Sequence, residues 1–177
     1  IETAIGEALL YKNEGGGSLV DATSRGIGRD PLGLARISRA TGLNVIMGAG
    51  YYVPPSYPPG MDDKSEDEIT EEIIRDITVG VGDTGICSGI IGEIGCTWPL
   101  QDNVRRVLRA SARAQAETGA CILIHPGPED ECHQAILDVL VSAGARPQRV
   151  IMGHLDMTLM DLDLLRGLAD TGCFLEY

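Results

Sequence analysis

Short, continuously apolar runs alternate with helix-spaced segments along the whole chain, and that alternation limits the fold more than any other feature. Runs such as Cys121-Ile122-Leu123-Ile124 and Val150-Ile151-Met152 have no polar face, as suits strands covered on both sides by helices in a parallel sheet. The pattern predicts a helix end over 1–13 and strands at 18–24, 45–50, 89–95, 121–127, 149–154 and 173–177. Helices fall between them at 30–41, 65–80, 101–118, 131–143 and 159–171. Their ends have local causes: Asp30-Pro31 supplies a cap and a first-turn proline, Ser65-Glu66-Asp67-Glu68 is a capping box, and Gly42, Gly119, Gly144 and Gly172 stand where helices stop. Six strands without a linker make one α/β domain over 1–177, either a doubly wound sheet or part of a (β/α)8 barrel. The one long irregular connection, Tyr51 to Lys64, carries Pro54, Pro55, Pro58 and Pro59. It leaves a strand end, so it is expected to face a substrate.

The polar residues come where the strands run out. Gly92-Glu93-Ile94-Gly95, Ile124-His125-Pro126-Gly127 and Met152-Gly153-His154-Leu155-Asp156 put one carboxylate and two imidazoles at the ends of three successive strands. In a parallel barrel that end is the reactive face. Alone, each residue has a plainer reading: a strand-end histidine is most often a hydrogen-bonded core residue, and Glu93 could cap a turn. Together, Glu93, His125 and His154 supply one hard oxygen and two borderline nitrogens, a ligand set for zinc, manganese, iron or cobalt that leaves positions open for water. The chain has only 3 histidines, and two of them are placed this way. The third, His133, lies inside a helix and reads as ordinary surface or core. Gly80-Val81-Gly82-Asp83-Thr84-Gly85 matches a dinucleotide fingerprint, but it joins a helix to a strand, the reverse of the order that motif requires.

A formal net charge of -12 argues against nucleic acid or an anionic membrane surface as a partner. Arg105, Arg106 and Arg109 fall among helix-spaced apolar residues and read as a solvated face. Cys87, Cys96, Cys121, Cys132 and Cys173 are odd in number and lack C-x-x-C spacing, so they read as small buried residues in a reducing cytosol. No stretch approaches the roughly 18 uninterrupted apolar residues of a membrane span. The first residue is Ile1, inside a helical pattern, as expected of a piece of a longer protein.

The chain resembles the phosphotriesterase family of the amidohydrolase superfamily, and within it the phosphotriesterase-related branch. The matching residues are Ile27-Gly28-Arg29-Asp30, Gly48-Ala49-Gly50-Tyr51-Tyr52, Ile90-Ile91-Gly92-Glu93-Ile94-Gly95-Cys96, His125-Pro126-Gly127, Gly153-His154-Leu155-Asp156 and Leu175-Glu176-Tyr177, in order along essentially the whole chain. The resemblance implies a partial (β/α)8 TIM barrel, from the second strand to the start of the seventh, belonging to a hydrolase that uses metal-activated water on an ester, lactone or amide. It implies a divalent metal, two zinc ions in the whole protein, with Glu93 bridging them and His125 and His154 completing the outer site. A His-x-His pair and an aspartate of the inner site would lie outside these residues, leaving the fragment alone inactive. Glu93 stands where many relatives carry a carboxylated lysine, which separates this branch from phosphotriesterase activity proper. By the same resemblance Tyr52 is the residue for substrate contact. Asp156 could orient a ligand from behind it, although a helix N-terminal role fits it equally. The implied partner is a small-molecule substrate in the cytoplasm, with a homodimer as a compatible assembly. The competing reading is a catalytically inert α/β binding or scaffold protein that keeps the barrel pattern.

Overall fold

Helix-and-strand alternation becomes one continuous sheet of six parallel strands in a computed structural model that describes residues 1–177. The strands are β1 (Ser18–Asp21), β2 (Asn44–Ala49), β3 (Ile90–Gly95), β4 (Ile122–His125), β5 (Val150–Met152) and β6 (Phe174–Leu175), paired in sequence order. Each pair is parallel and separated by a helix, and the unreversed strand order is that of the partial barrel implied by the family resemblance, not of a doubly wound sheet. The helices are α1 (Glu2–Asn13), α2 (Pro31–Thr41), α3 (Glu66–Thr78), α4 (Asp102–Thr118), α5 (Asp130–Ser142), α6 (Leu155–Thr158) and α7 (Leu162–Asp170). No helix is long and apolar enough to cross a membrane.

The core lies between β3, β4 and β5 and their covering helices. Ile91, Ile94, Ile122, Ile124 and Met152 are fully buried, and α4 lays Val104, Val107, Leu108 and Ser111 against them at helical spacing. Truncating Leu108, which has no exposed surface, to alanine would cost about 2–5 kcal/mol. Local signals set the helix ends as the sequence suggests. The Asp30 side chain accepts the Gly33 N–H ahead of Pro31, Ser65 and Glu68 form a reciprocal capping box, and Gly42 and Gly119 close α2 and α4 in left-handed conformations.

Several expectations need correction. The strands are shorter than their apolar runs, because a ladder lasts only while both chains stay in register. Residues 22–24 and 153–154 leave it, although Ala22 and Gly153 each keep a single backbone bond. The helix expected over 159–171 starts later, at Leu162, where the Asp161 side chain accepts the Asp163 and Leu164 N–H groups, and a separate single turn, α6, precedes it. Arg105, Arg106 and Arg109 are not a solvated face. Arg109 Nε pairs with Glu66 at 2.7 Å, Arg106 donates to the Asp62 and Lys64 carbonyls, and Arg105 donates to Leu100 O, fastening α4 to α3 and to the 51–64 connection. All five cysteines are free, but Cys87 is exposed rather than buried and Cys121 only half-buried.

Candidate metal centre

Glycine brings the first carboxylate into place. Gly48 of β2 lies between Ala22 and β3, and a Cβ there would collide with Gly92 O and stand 3.1 Å from Ala22 O. Without it the chain after β1 reaches over β2, and the Glu93 N–H donates to Ala22 O at 2.9 Å. The β3–β4 register shifts between Ile91 and Ile94, and Gly92 takes a φ of 128° that side chains rarely adopt. Glu93 thereby leaves the plain alternation and points its carboxylate along the barrel end.

His125 is the last residue of β4, and His154 follows β5 as the residue before α6. His154 is the chain's one non-glycine residue with a left-handed backbone, φ 57° and ψ 32°. Its amide donates to the Glu176 carboxylate at 3.0 Å, and its carbonyl accepts from the Met157 and Thr158 N–H groups. Glu176 lies in the Leu175-Glu176-Tyr177 segment, where the sequence alone assigns it no role. The signal was a carboxylate one residue past the β6 run.

The three side chains converge. One donor atom from each of Glu93, His125 and His154 lies within 4.8 Å of the other two. His154 Nε2 is 2.7 Å from Glu93 Oε1 and His125 Nδ1 is 3.5 Å from the same oxygen, while the imidazole rings stand 4.7 Å apart at 73°. All three are half-buried. Burial works to raise the Glu93 carboxyl, but the attraction of His125 and His154 outweighs it and holds the group below the ordinary carboxylate value.

Tyr52, just past β2, turns to this cluster: its hydroxyl lies 3.1 Å from His125 Nε2, with the rings 5.0 Å apart. Burial, and then the Glu93 charge, raise the Tyr52 phenol, so it stays protonated. Asp156 is exposed in the first turn of α6. The neighbour of Tyr52, Tyr51, turns the other way, fully buried against Glu72, Lys64 and the Tyr57 ring. That second cluster, with Arg25, Arg29 and Asp76, was not foreseen. The alternation of side chains at a strand end was the available clue that Tyr51 and Tyr52 serve different faces.

These residues fit a divalent cation. Among the three ligating groups His125 Nδ1 is buried without a hydrogen-bond partner, although a polar atom in that state normally finds one. Tyr52 occupies the other ring nitrogen, so in the neutral tautomer that donates Nε2–H to the tyrosine oxygen, Nδ1 carries a lone pair facing Glu93. An anion, two imidazole nitrogens and a tyrosine hydroxyl behind one ring match in type and number the donors that a first-row metal takes.

The chain is similar to known proteins along its whole length. A model described as the phosphotriesterase family matches residues 1–177. N-acetyltaurine hydrolase of Dictyostelium discoideum is 42% identical over 177 residues, all of this chain and 48% of that protein. Phosphotriesterase-related protein of Nematostella vectensis is 42% identical over 177 residues, 100% of this chain and 51% of the relative. Among solved structures, a resiniferatoxin-binding protein from Rhodobacter sphaeroides superposes with a TM-score of 0.93 at 37% identity, covering 97% of this chain and 48% of that one. The chain thus spans about half the length of the curated relatives it matches.

Proposed function

Because the chain belongs to the phosphotriesterase family, we propose that Glu93, His125 and His154 hold a divalent cation in a protein that hydrolyses a small-molecule amide or ester. The observation that carries this reading is the convergence of the three donors at strand ends with His125 Nδ1 left unpartnered. Glu93 supplies the negative charge that a cation needs, His154 Nε2 and His125 Nδ1 supply lone pairs, and the Tyr52 hydroxyl holds the opposite edge of the His125 ring. A divalent cation in such a site acidifies water and draws charge from the oxygen of the bond being broken. The mixed oxygen and nitrogen set suits zinc, and two ions in the whole protein follow from the family resemblance. Tyr52, which lies beside His125, would also contact the substrate. The free thiols fit a cytosolic protein, and a homodimer is compatible with the reading.

An amide is the preferred substrate class, since relatives at 42% and 43% identity are named for N-acetyltaurine hydrolysis. The test is metal analysis of the intact protein, followed by assays on N-acetyltaurine, a lactone and a phosphotriester. Bound zinc, amide hydrolysis that a chelator abolishes, and loss of metal in Glu93→Gln with the fold retained are the expected results. Full metal content in Glu93→Gln would overturn the ligand assignment. A metal-loaded protein inert on all three substrates would favour the scaffold reading.

A further inference from the structure

Resting on the reading of Glu93, His125 and His154 as cation ligands, we propose that His133 is a positioning residue that acts through Thr158 to fix the turn presenting His154. The sequence treats His133 as an ordinary helical residue. Yet its side chain enters the core from α5 with 2% exposure, and its Nε2 lies 2.9 Å from Thr158 Oγ1 at the end of α6. Thr158 Oγ1 in turn donates to the His154 carbonyl at 2.8 Å. The chain His133–Thr158–His154 therefore links a buried imidazole on one helix to the backbone of a ligand on another element.

A threonine bond to the carbonyl four residues earlier is common in helices, and Thr41, Thr70, Thr78 and Thr118 each make one. Thr158 differs because its oxygen also meets an imidazole nitrogen from another helix. A hydroxyl has one proton. With that proton on the His154 carbonyl, the Thr158 oxygen accepts from His133 Nε2, and the other ring nitrogen, Nδ1, lies 3.3 Å from Asp130 O within α5. Burial lowers the His133 pKa, opposed by the Asp130 charge and the Asp130 and Glu129 backbone. His154 needs this support because it holds a left-handed backbone ahead of a four-residue helix that has no side-chain cap. Its carbonyl is held by Met157, Thr158 and the relayed bond, and its amide by Glu176. Releasing the threonine hydroxyl would loosen one side of that clamp and widen the directions the His154 ring can take.

Two pairs of variants test this in the intact protein. His133→Leu removes the donor, whereas His133→Gln offers an amide N–H of similar reach; Thr158→Val removes the hydroxyl, and Thr158→Ser keeps it. The first readout is hydrogen exchange of the metal-free protein over 154–158, where both donor-less variants should exchange roughly tenfold faster or more while the conservative variants stay near the unaltered protein. The second is Co2+ titration, in which the donor-less variants should bind about 10- to 100-fold more weakly, as loss of an outer partner does, with the conservative ones within about threefold of the unaltered protein. Unchanged exchange in His133→Leu and Thr158→Val, or equal losses in the conservative and donor-less members of a pair, overturns the proposal. If the unaltered protein takes up no Co2+ while the exchange difference holds, the positioning role stands and the cation reading fails.

Discussion

Tyr51 and Tyr52 are neighbours in sequence, and each sits in a cluster of charged groups, yet the clusters differ in what they leave unpaired. Around Tyr51, Arg29 pairs with Asp76 at 2.8 Å and donates to Gly48 O, while Arg25, Lys64 and Tyr51 itself converge on Glu72. Positive and negative charges alternate there, and Arg29 and Asp76 are almost wholly buried, with side-chain exposures of 5% and 4%. Around Tyr52, two imidazoles face one carboxylate, one ring nitrogen has no partner, and the ligating side chains keep 19–33% of their surface exposed. A closed network holds α3 to the chain after β1; an open one has room for something to arrive. Saturation of the charged groups, more than their number, separates the two clusters, although the Tyr57 hydroxyl beside Tyr51 is also without a partner.

The largest effect should come from breaking the closed network. Asp76→Asn leaves the Arg29 guanidinium buried beside a neutral amide, which should cost about 3–5 kcal/mol of stability. Metal uptake by the protein that remains folded should be unchanged. Urea unfolding with metal analysis at low denaturant checks both halves. A variant of normal stability that has lost its metal would erase the distinction between the clusters.

The tyrosine pair gives a sharper and smaller contrast. Tyr52→Phe removes the hydroxyl facing His125 Nε2 and should weaken metal binding by about tenfold, the lower range for an outer partner. Its stability should barely move. Tyr51→Phe should do the reverse, costing about 1.5–3 kcal/mol through the lost bond to the Glu72 carboxylate and leaving the metal in place. Measuring both quantities on both variants yields a crossed pattern if the comparison is right; parallel losses would contradict it.

Much of this architecture is legible without coordinates, because its causes are local. A continuously apolar run ending in His125 or His154 shows both a buried strand and the polar residue where the strand stops, and the caps at Asp30 and Ser65 lie within three residues of the groups they satisfy. What escapes the sequence depends on distant partners. Arg29 meets Asp76 across 47 positions, and His154 meets Glu176 across 22. Arg106 finds backbone carbonyls, which carry no sequence signature at all. α6 is too short for a period to show. Strand ends are overread for the same reason, since where β1 and β5 stop depends on the neighbouring chain and not on their own apolar residues.

The smallest expected effect is a pH dependence carried by one carboxylate of the closed network, Glu72. Burial works to raise the Glu72 carboxyl, but the bonds from Lys64 and Tyr51 and the charge of Arg25 outweigh it, so its pKa in the folded protein falls below the usual 4.5. The unfolded chain, with the higher pKa, binds the proton more readily between the two values. Stability from Glu72 is therefore fully present above about pH 4.5 and is lost as the pH falls through the folded pKa. Glu72→Gln cannot titrate, so its urea midpoint should decline less steeply than that of the unaltered protein between pH 5.5 and pH 3.5. At neutral pH the substitution should cost no more than about 1 kcal/mol, because Glu72 keeps part of its surface in water. Equal slopes for the two proteins would mean that Arg25 and Lys64 lean on Glu72 without stabilising the fold, and the Tyr51 cluster would then owe its stability to Arg29 and Asp76 alone.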